Sequence, residues 1–331
     1  MKKHILIINT GGTLSSVAKE HGLTPGITTD GMLQELHVVA GDAQLSTMEF
    51  ASLDSANIFP EDWARLAEVI STNKDSYDGI VIIHGTDTLA YTSSMLSFML
   101  GNLPIPVVIT GSQLSISDPV ADAMENLRCA IYMAQTGKSG VFVAFNRKVI
   151  LGCRASKVRS VNFDAFDSIN VANVAEINSF GMKINDAMIP EKNGIFRLQN
   201  QFSSDIAVVK MFPGMHRSLL TTLADEGCRA IYIEAYGLGG MPYIGHDFIK
   251  TVGELVEQGI TILIGTQCRF DGSNLSVYET GKRALEKGVL QAYDMTTEAA
   301  VTKLMWVLGQ TSDPAQIREY FSVSLCGEVS L

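Results

Sequence analysis

A short apolar run in the first half of the chain ends in a polar, glycine-containing junction. Residues 80–83 are all apolar and β-branched, which predicts a strand buried on both faces of a parallel sheet. Residues 89–100 carry apolar side chains along one stripe and predict a helix. Between them lie Thr86, Asp87 and Thr88. Ligands bind at such junctions in parallel α/β sheets, so the pattern predicts a functional site here.

Alternating strand and helix patterns predict an α/β protein of two domains. A length of 331 residues agrees, because it is too long for one ordinary core. In the first half the alternation predicts a larger, mostly parallel sheet with right-handed crossovers. Residues 186–205 lose the alternation and predict a linker. It would separate an N-terminal catalytic domain, residues 1–185, from a smaller C-terminal α/β domain, residues 206–331.

Three segments of the first half have distinct patterns. Residues 15–30 lack apolar periodicity and contain Gly22, Pro25 and Gly26, which predicts a mobile loop. Residues 31–36 predict a short helix. The basic side chains between positions 147 and 159 predict a largely solvated face, and they are Arg147, Lys148, Arg154, Lys157 and Arg159.

Composition limits the partners and the compartment. A net charge of −10 leaves no basic excess for a nucleic acid or an anionic membrane. No apolar stretch approaches a membrane span, and the run after Lys2-Lys3 is too short for a signal peptide. The five cysteines are odd in number and never spaced as Cys-x-x-Cys, which fits a reducing compartment. We therefore expect a soluble, cytoplasmic protein.

Hydroxyl and carboxylate side chains stand at the ends of several predicted strands, and one of these is a short strand predicted at residues 51–55. Thr13, Ser55, Thr86 and Asp87 each come after a strand, so they should converge at one edge of the sheet. A hydroxyl needs a base to become a nucleophile, and no histidine is a credible base. Lys157 beside the Asp87 carboxylate could serve instead. The alternative is that the threonines cap helices and the lysine is solvated. No nucleotide or metal motif is present, so no cofactor is expected.

Two strand-end motifs resemble the signature segments of the asparaginase/glutaminase family. They are Thr10-Gly11-Gly12-Thr13-Leu14 and His84-Gly85-Thr86-Asp87-Thr88. The agreement extends along nearly the whole chain, through Thr110-Gly111-Ser112-Gln113, Asp122 with Asn126-Leu127, the Lys157 segment, Phe163-Asp164-Ala165-Phe166, Tyr236-Gly237, and Ile317-Arg318 to Gly327-Glu328. Leu53-Asp54-Ser55 and the missing signal peptide make the chain similar to the cytoplasmic, bacterial-type-I branch.

The resemblance implies a two-domain asparaginase-like fold and hydrolysis of L-asparagine to L-aspartate and ammonia, with no cofactor. It implies that Thr13 is the acylating nucleophile and that Thr86, Asp87 and Lys157 relay protons. Asp54 and Ser55, together with Thr86 and Asp87, would bind the substrate. The family habit of placing each active site near a neighbouring subunit implies a homodimer or homotetramer. The amidotransferase subunit that shares these motifs has an additional N-terminal domain, whereas this chain starts at the first strand.

Two departures leave alternatives open. Family members carry a tyrosine in the loop after the first motif, and here Leu23 is suggested in its place. Either the Lys157 side supplies all the activation, or Thr86 is the nucleophile, or activity is low. Glu234 stands where the cytoplasmic branch can have an arginine associated with an effector site, so cooperativity is not assumed. The alternative functions are hydrolysis of another amide, such as glutamine, and ligand binding without turnover.

Overall fold

The computed structural model describes residues 2–19, 22–25, 41, 43–192 and 194–330, without the side chains of 15–19 and 22–25. The chain divides into two compact units, Met1–Asn200 and Gln201–Leu331. This division lies within the predicted linker, residues 186–205. That segment contains a 3-10 helix, Asp186–Met188, and a two-residue strand, both in the first unit. The domain limits 1–185 and 206–331 stay a prediction.

The first unit contains most of the strands found in the described part of the chain. In chain order they are β1 (His4–Gly11), β2 (Ser16–Lys19), β3 (Gly22–Pro25), β4 (Gln44–Leu53), β5 (Gly79–Ile83), β6 (Leu100–Gly101), β7 (Pro106–Thr110), β8 (Gly140–Phe145), β9 (Lys148–Leu151), β10 (Ala155–Lys157), β11 (Phe166–Ser168), β12 (Ala175–Asn178), β13 (Gly181–Ile184) and β14 (Arg197–Leu198). Within the described residues, the main sheet has the order β13-β12-β9-β8-β7-β5-β1-β4. The strands from β4 to β8 in this order are parallel, and the remaining pairs are antiparallel. The predicted, mostly parallel sheet is confirmed.

Among the described residues, the helices of the first unit are α1 (Pro60–Asn73), α2 (Leu89–Met99) and α3 (Ala123–Ala134). Proline at the first position and two acids in the first turn favour the start of α1. Its buried residues recur at helical spacing: Trp63, Leu66, Ala67 and Ile70. Helix α2 is buried along nearly its whole length, and it packs against β8, α1 and the 3-10 helix Gly152–Arg154. Its predicted start at residue 89 is confirmed.

The central strand confirms the sequence prediction, and two neighbouring segments differ from theirs. Every residue of β5 is buried, as expected for a strand covered on both faces. The strand predicted at residues 51–55 is the end of β4, which begins at Gln44 and has only partly buried or exposed residues. The loop predicted at residues 15–30 includes an antiparallel hairpin of β2 and β3. The helix predicted at residues 31–36 lies outside the described residues.

The second unit has its own parallel sheet, in the order β15-β16-β17-β18. Its elements are β15 (Ile206–Lys210), β16 (Ala230–Ala235), β17 (Thr261–Thr266), β18 (Leu290–Gln291), α4 (Ser218–Asp225), α5 (Phe248–Glu257), α6 (Glu279–Glu286), α7 (Thr297–Gln310) and α8 (Pro314–Phe321). Lys303 of α7 forms a fully buried ion pair with Glu328 at 2.6 Å. Because Glu328 also accepts the backbone N–H groups of Leu325 and Cys326, this pair anchors the C-terminal segment.

Other properties of the described chain bear on its class. None of the helices in the described ranges is long and apolar enough to cross a membrane. None of the five cysteines, all of which are described, forms a disulfide, and Cys129 and Cys153 are buried. Burial raises the pKa of Cys129 to about 12, so its thiol is unreactive and the residue serves to fill the core.

Two glycines bring the ends of β1 and β5 into direct contact. Gly12 has φ +89°, and a Cβ atom there would lie 2.4 Å from the backbone nitrogen of Gly85. Gly85 in turn packs on Ser55, whose Oγ would be 2.6 Å from an added Cβ. Both motif glycines therefore fill positions where no side chain fits.

We expect Gly12→Ala to destabilise the first unit by at least about 2 kcal/mol more than Gly181→Ala. Gly181 also has a positive φ, +99°, but no atom lies within 4 Å of an added Cβ. The control therefore carries the backbone strain without the steric overlap with Gly85. Urea unfolding of both variants measures the difference, and equal losses of stability would contradict the close-packing argument.

Candidate active site

Side chains from three neighbouring strand ends meet around one cavity. Thr13 begins the 3-10 helix Thr13–Ser15 after β1, and Ser55 begins the 3-10 helix Ser55–Asn57 after β4. Thr86 and Asp87 follow β5, which pairs with β1. The cavity has a volume of about 250 Å³ and is lined by Gly12, Thr13, Asp54, Ser55, Gly85, Thr86, Asp87, Gln113, Lys157 and Ser160. All six residues predicted from the sequence for catalysis or substrate binding therefore line the same cavity.

Lys157 bridges the polar groups of the β5 junction. Its Nζ donates to Thr86 Oγ1 at 2.8 Å and to Asp87 Oδ1 at 2.6 Å. Thr86 is only 6% exposed, whereas the Asp87 side chain is 64% exposed and faces the open part of the site. The predicted proximity of Lys157, Thr86 and Asp87 is confirmed. The ammonium is thus shared between a hydroxyl that is shielded from water and a carboxylate that is available to a ligand.

Ser55 is the buried member of the opposite wall. It is 2% exposed, and its Oγ accepts the backbone N–H of Asp87 at 3.3 Å. Its carbonyl oxygen accepts the hydroxyl of Thr88 at 2.7 Å. Asp54 is exposed and caps the following 3-10 helix by accepting the N–H of Ala56 at 3.0 Å. Ser55 therefore retains a hydroxyl hydrogen that it can donate into the cavity.

Gln113 and Ser160 line the cavity but were not among the predicted site residues. Gln113 follows the end of β7, the strand beside β5. The pattern of polar residues after parallel strands, which predicted Thr86 and Asp87, could therefore have predicted Gln113 as well. The Oε1 atom of Gln113 lies 3.3 Å from Thr86 Oγ1. Ser160 belongs to the loop after β10, for which the sequence offers no comparable signal.

A buried polar chain lies behind the β5 junction. Trp63 Nε1 donates to Thr92 Oγ1 at 2.8 Å, and Thr92 lies 2.9 Å from His84 Nε2. The other ring nitrogen, Nδ1, lies 2.7 Å from the carbonyl oxygen of Gly85 and must donate to it. Both ring nitrogens of this neutral imidazole are therefore satisfied. Since His84 has no exposed surface, burial lowers its pKa to about 4. His84 supports the backbone of the site and is not placed to act as its base.

The basic cluster between positions 147 and 159 is mostly not a solvated face. Lys148 contacts Asp164 at 2.7 Å and Asp167 at 3.2 Å, and Arg159 donates to the carbonyl oxygen of Asp164 at 2.7 Å. The hydrogen bond from Lys148 lowers the pKa of Asp164 below its ordinary value. The prediction is wrong for Lys148, for Arg154, which is 1% exposed, and for Lys157 in the site. Two of the basic residues instead pair with two acids and form a clamp around the loop after Lys157. The clamp consists of Lys148, Arg159, Asp164 and Asp167.

Leu23 and Glu234, the two departures noted in the sequence, lie in different structural surroundings. Leu23 lies on β3, within the β2–β3 hairpin that follows Thr13. Glu234 lies in the second unit, on β16, and its Oε1 accepts the hydroxyl of Thr297 at 2.5 Å. Lys210 Nζ is 3.9 Å from the other carboxylate oxygen. The Glu234 carboxylate therefore already has partners within its own unit.

Comparison with known proteins identifies the class of this fold and site. Residues 4–189 match the model "Asparaginase, N-terminal", and residues 205–321 match "Glutaminase/Asparaginase C-terminal domain". The chain belongs to the asparaginase family.

Particular relatives span almost the entire chain. An L-asparaginase of Thermococcus kodakarensis is 40% identical over 98% of this chain and 99% of its own length. L-asparaginase 1 of Escherichia coli K12 is 34% identical over 99% and 98%. One subunit of a glutamyl-tRNA(Gln) amidotransferase from Methanothermobacter thermautotrophicus is also 34% identical, over 98% of this chain but 77% of its own length.

Solved structures agree with these relatives. The thermostable L-asparaginase of T. kodakarensis superposes with a TM-score of 0.92 at 40% identity, covering 99% of both chains. L-asparaginase I of Vibrio cholerae gives 0.91 at 29% identity over 100% of both chains. A structure described as a probable cytoplasmic L-asparaginase from Campylobacter jejuni gives 0.84 at 25% identity, covering 97% of this chain and 99% of its own. The two-domain asparaginase fold expected from the sequence is confirmed.

We expect His84 to make the protein less stable as the pH falls from 6.5 toward 4. The unfolded chain binds a proton near its ordinary pKa of 6.5, whereas folded His84, with a pKa of about 4, does not. The free energy of unfolding should therefore fall by an amount on the order of 3 kcal/mol from this group alone.

Urea unfolding between pH 4 and 7 measures this effect. His84→Gln, which keeps a neutral donor and acceptor, should flatten the slope relative to the parent protein. His216 is exposed, so His216→Gln should leave the slope unchanged. An unchanged slope in His84→Gln would show that His84 is not held neutral.

Proposed function

We propose that this protein is an L-asparaginase, an amidohydrolase that converts L-asparagine and water to L-aspartate and ammonia. The observation that carries the proposal is the bridge from Lys157 to both Thr86 and Asp87, on the wall of a cavity that Thr13 also lines. This arrangement supplies a hydroxyl, a proton relay and a carboxylate within one small site. Relatives with the name L-asparaginase over nearly the full length support it.

In the proposed mechanism, Thr13 attacks the side-chain amide carbon of asparagine. The proton of its hydroxyl passes to Thr86 as Thr86 passes its own to Lys157, which accepts it as the neutral amine. The proton then returns along the same path to the leaving amide nitrogen, and the C–N bond breaks to release ammonia. Water then attacks the ester carbon, which releases aspartate and restores Thr13. The exposed Asp87 carboxylate would hold the substrate α-ammonium group. Ser55 would donate its free hydroxyl hydrogen to the α-carboxylate, and Asp54 would line its surroundings.

The surroundings of the two threonines favour Thr13 as the nucleophile. Thr86 already receives a hydrogen bond from Lys157 and has a second partner in Gln113. Such a hydroxyl is better suited to pass a proton than to attack. Thr13 follows two glycines that let the backbone approach a substrate closely. We further propose a homo-oligomer, a dimer or a tetramer, as the family resemblance implies. A cytoplasmic location is supported by the C. jejuni neighbour.

We expect asparagine to be hydrolysed with a kcat/KM at least about a hundredfold above that for glutamine. One methylene in an apolar pocket is worth only about 1–3 kcal/mol, but a displaced reacting carbon costs more. Ammonia release from each amide at matched concentrations measures the ratio, and Thr13→Ala purified in parallel serves as the blank. Equal turnover of both amides would contradict the proposed substrate.

We expect an electrophilic asparagine analogue to label Thr13 covalently. Thr13→Ala should abolish the label and lower kcat by about a thousandfold or more, whereas Thr13→Ser, which keeps a hydroxyl, should still be labelled. Digestion and mass spectrometry identify the modified residue. A label on Thr86 would reverse the assignment, and tight asparagine binding without label or ammonia would favour a binding protein.

A further inference from the structure

The orientation of the Gln113 amide is fixed by its surroundings. Its Nε2 lies 3.3 Å from the carbonyl oxygen of Ser160 and 3.1 Å from that of Asn162. Carbonyl oxygens only accept hydrogen bonds, so the NH₂ end of the amide must face them. The opposite orientation would place three oxygens together. Gln113 Oε1 therefore faces Thr86, at 3.3 Å from its Oγ1.

This orientation determines where the hydroxyl hydrogen of Thr86 points. An amide oxygen carries no hydrogen, so Thr86 must donate to Gln113. On its other side, Thr86 accepts from Lys157 at 2.8 Å. The Thr86 hydrogen thus points away from Lys157. Before a proton can pass through Thr86 to this lysine, the hydroxyl must turn away from Gln113.

We infer that Gln113 is a positioning residue of the acyl-transfer site. Its amide sets the resting direction of the Thr86 hydroxyl and ties Thr86 to the rim segment, defined as residues 158–163. The inference rests on the proposed function and deepens it. The contact of 3.3 Å is long for a hydroxyl donor, so it can be exchanged during the reaction, whereas the contact of 2.8 Å with Lys157 is of ordinary strength.

Among the described residues, few other contacts hold the rim segment on the side of the cavity. Residues 159–163 are all exposed, and Val161 is 84% exposed. Its first two amides, from Val158 and Arg159, donate to the carbonyl oxygen of Ala165. On the far side it is held by the clamp of Lys148, Arg159, Asp164 and Asp167. Besides the chain connection from Lys157, the Gln113 amide links the segment to Thr86 of the proposed relay.

Two substitutions separate the effect on Thr86 from the effect on the rim segment. Gln113→Glu offers Thr86 a charged, stronger acceptor and stabilises the charged form of the nearby Lys157. In Gln113→Glu, the acidic limb of the pH profile of kcat/KM should therefore move to higher pH by about half to one unit. Gln113→Met removes the acceptor, so this limb should not move upward. Both variants lose the NH₂ group, so the KM for asparagine should rise about threefold to tenfold in each.

Gln135→Glu is the matched control, because this amide donates to a helix carbonyl away from the site and its change should leave the profile as in the parent. Deuterium exchange of the rim segment provides a readout without turnover. Exchange should be faster in both Gln113 variants and unchanged in Gln135→Glu, with thermal melting used to check folding.

The outcomes distinguish the inference from the proposed function. Identical pH profiles in the parent, Gln113→Glu and Gln113→Met, or unchanged exchange of the rim segment, would overturn the inference. A parent protein that releases no ammonia from asparagine would contradict the proposed function, while the exchange experiment would still test the anchoring by Gln113.

Discussion

The site depends on the direct contact between the two glycine-containing junctions after β1 and β5. Gly12 lies against the backbone of Gly85, and Gly85 lies against Ser55, so three strand ends approach without intervening side chains. This contact holds Thr13 and Ser55 beside Thr86 around the same cavity. A parallel sheet alone would align the strand ends, but residues with a Cβ atom would hold them further apart. The glycines are therefore as much a part of the site as the hydroxyls.

Much of this arrangement could be predicted from the sequence because it follows from strong local patterns. A short run of β-branched apolar residues followed by glycine favours the centre of a covered parallel sheet, and β5 lies there. The residues after such strands must then share one edge. The prediction for β4 found only its C-terminal end. The residues of β4 are only partly buried or exposed, and Gln44 to Phe50 do not alternate clearly between apolar and polar side chains. An edge strand of this kind is specified by its pairing with β1, and that is not visible in its own sequence.

The contacts that the sequence could not provide are those between polar side chains distant along the chain. Gln113 meets Ser160 and Asn162 across more than forty positions, and the basic residues find their acids only after β9, β10 and β11 have folded together. Considered alone, a run of arginines and lysines in an acidic protein indicates a solvated face. Within the fold, Lys148 gains hydrogen bonds to Asp164 and Asp167 that raise its pKa although burial acts to lower it. Tertiary electrostatics, and not local pattern, decides the state of such residues.

The two walls of the cavity are therefore held by different forces. The wall formed by Gly12, Ser55 and Gly85 is held by close backbone packing above a buried core, which resists displacement. The wall that carries Lys157 continues into the exposed rim segment, which has polar contacts and almost no apolar burial. Segments with few buried apolar contacts open at a low cost in free energy. The rim segment should thus be displaced more easily than the strand ends, which keep Thr13 and Thr86 in register. Lys157 lies between the wall formed by the strand ends and the wall that continues into the rim segment. Its contacts with Thr86 and Asp87 therefore connect the two walls.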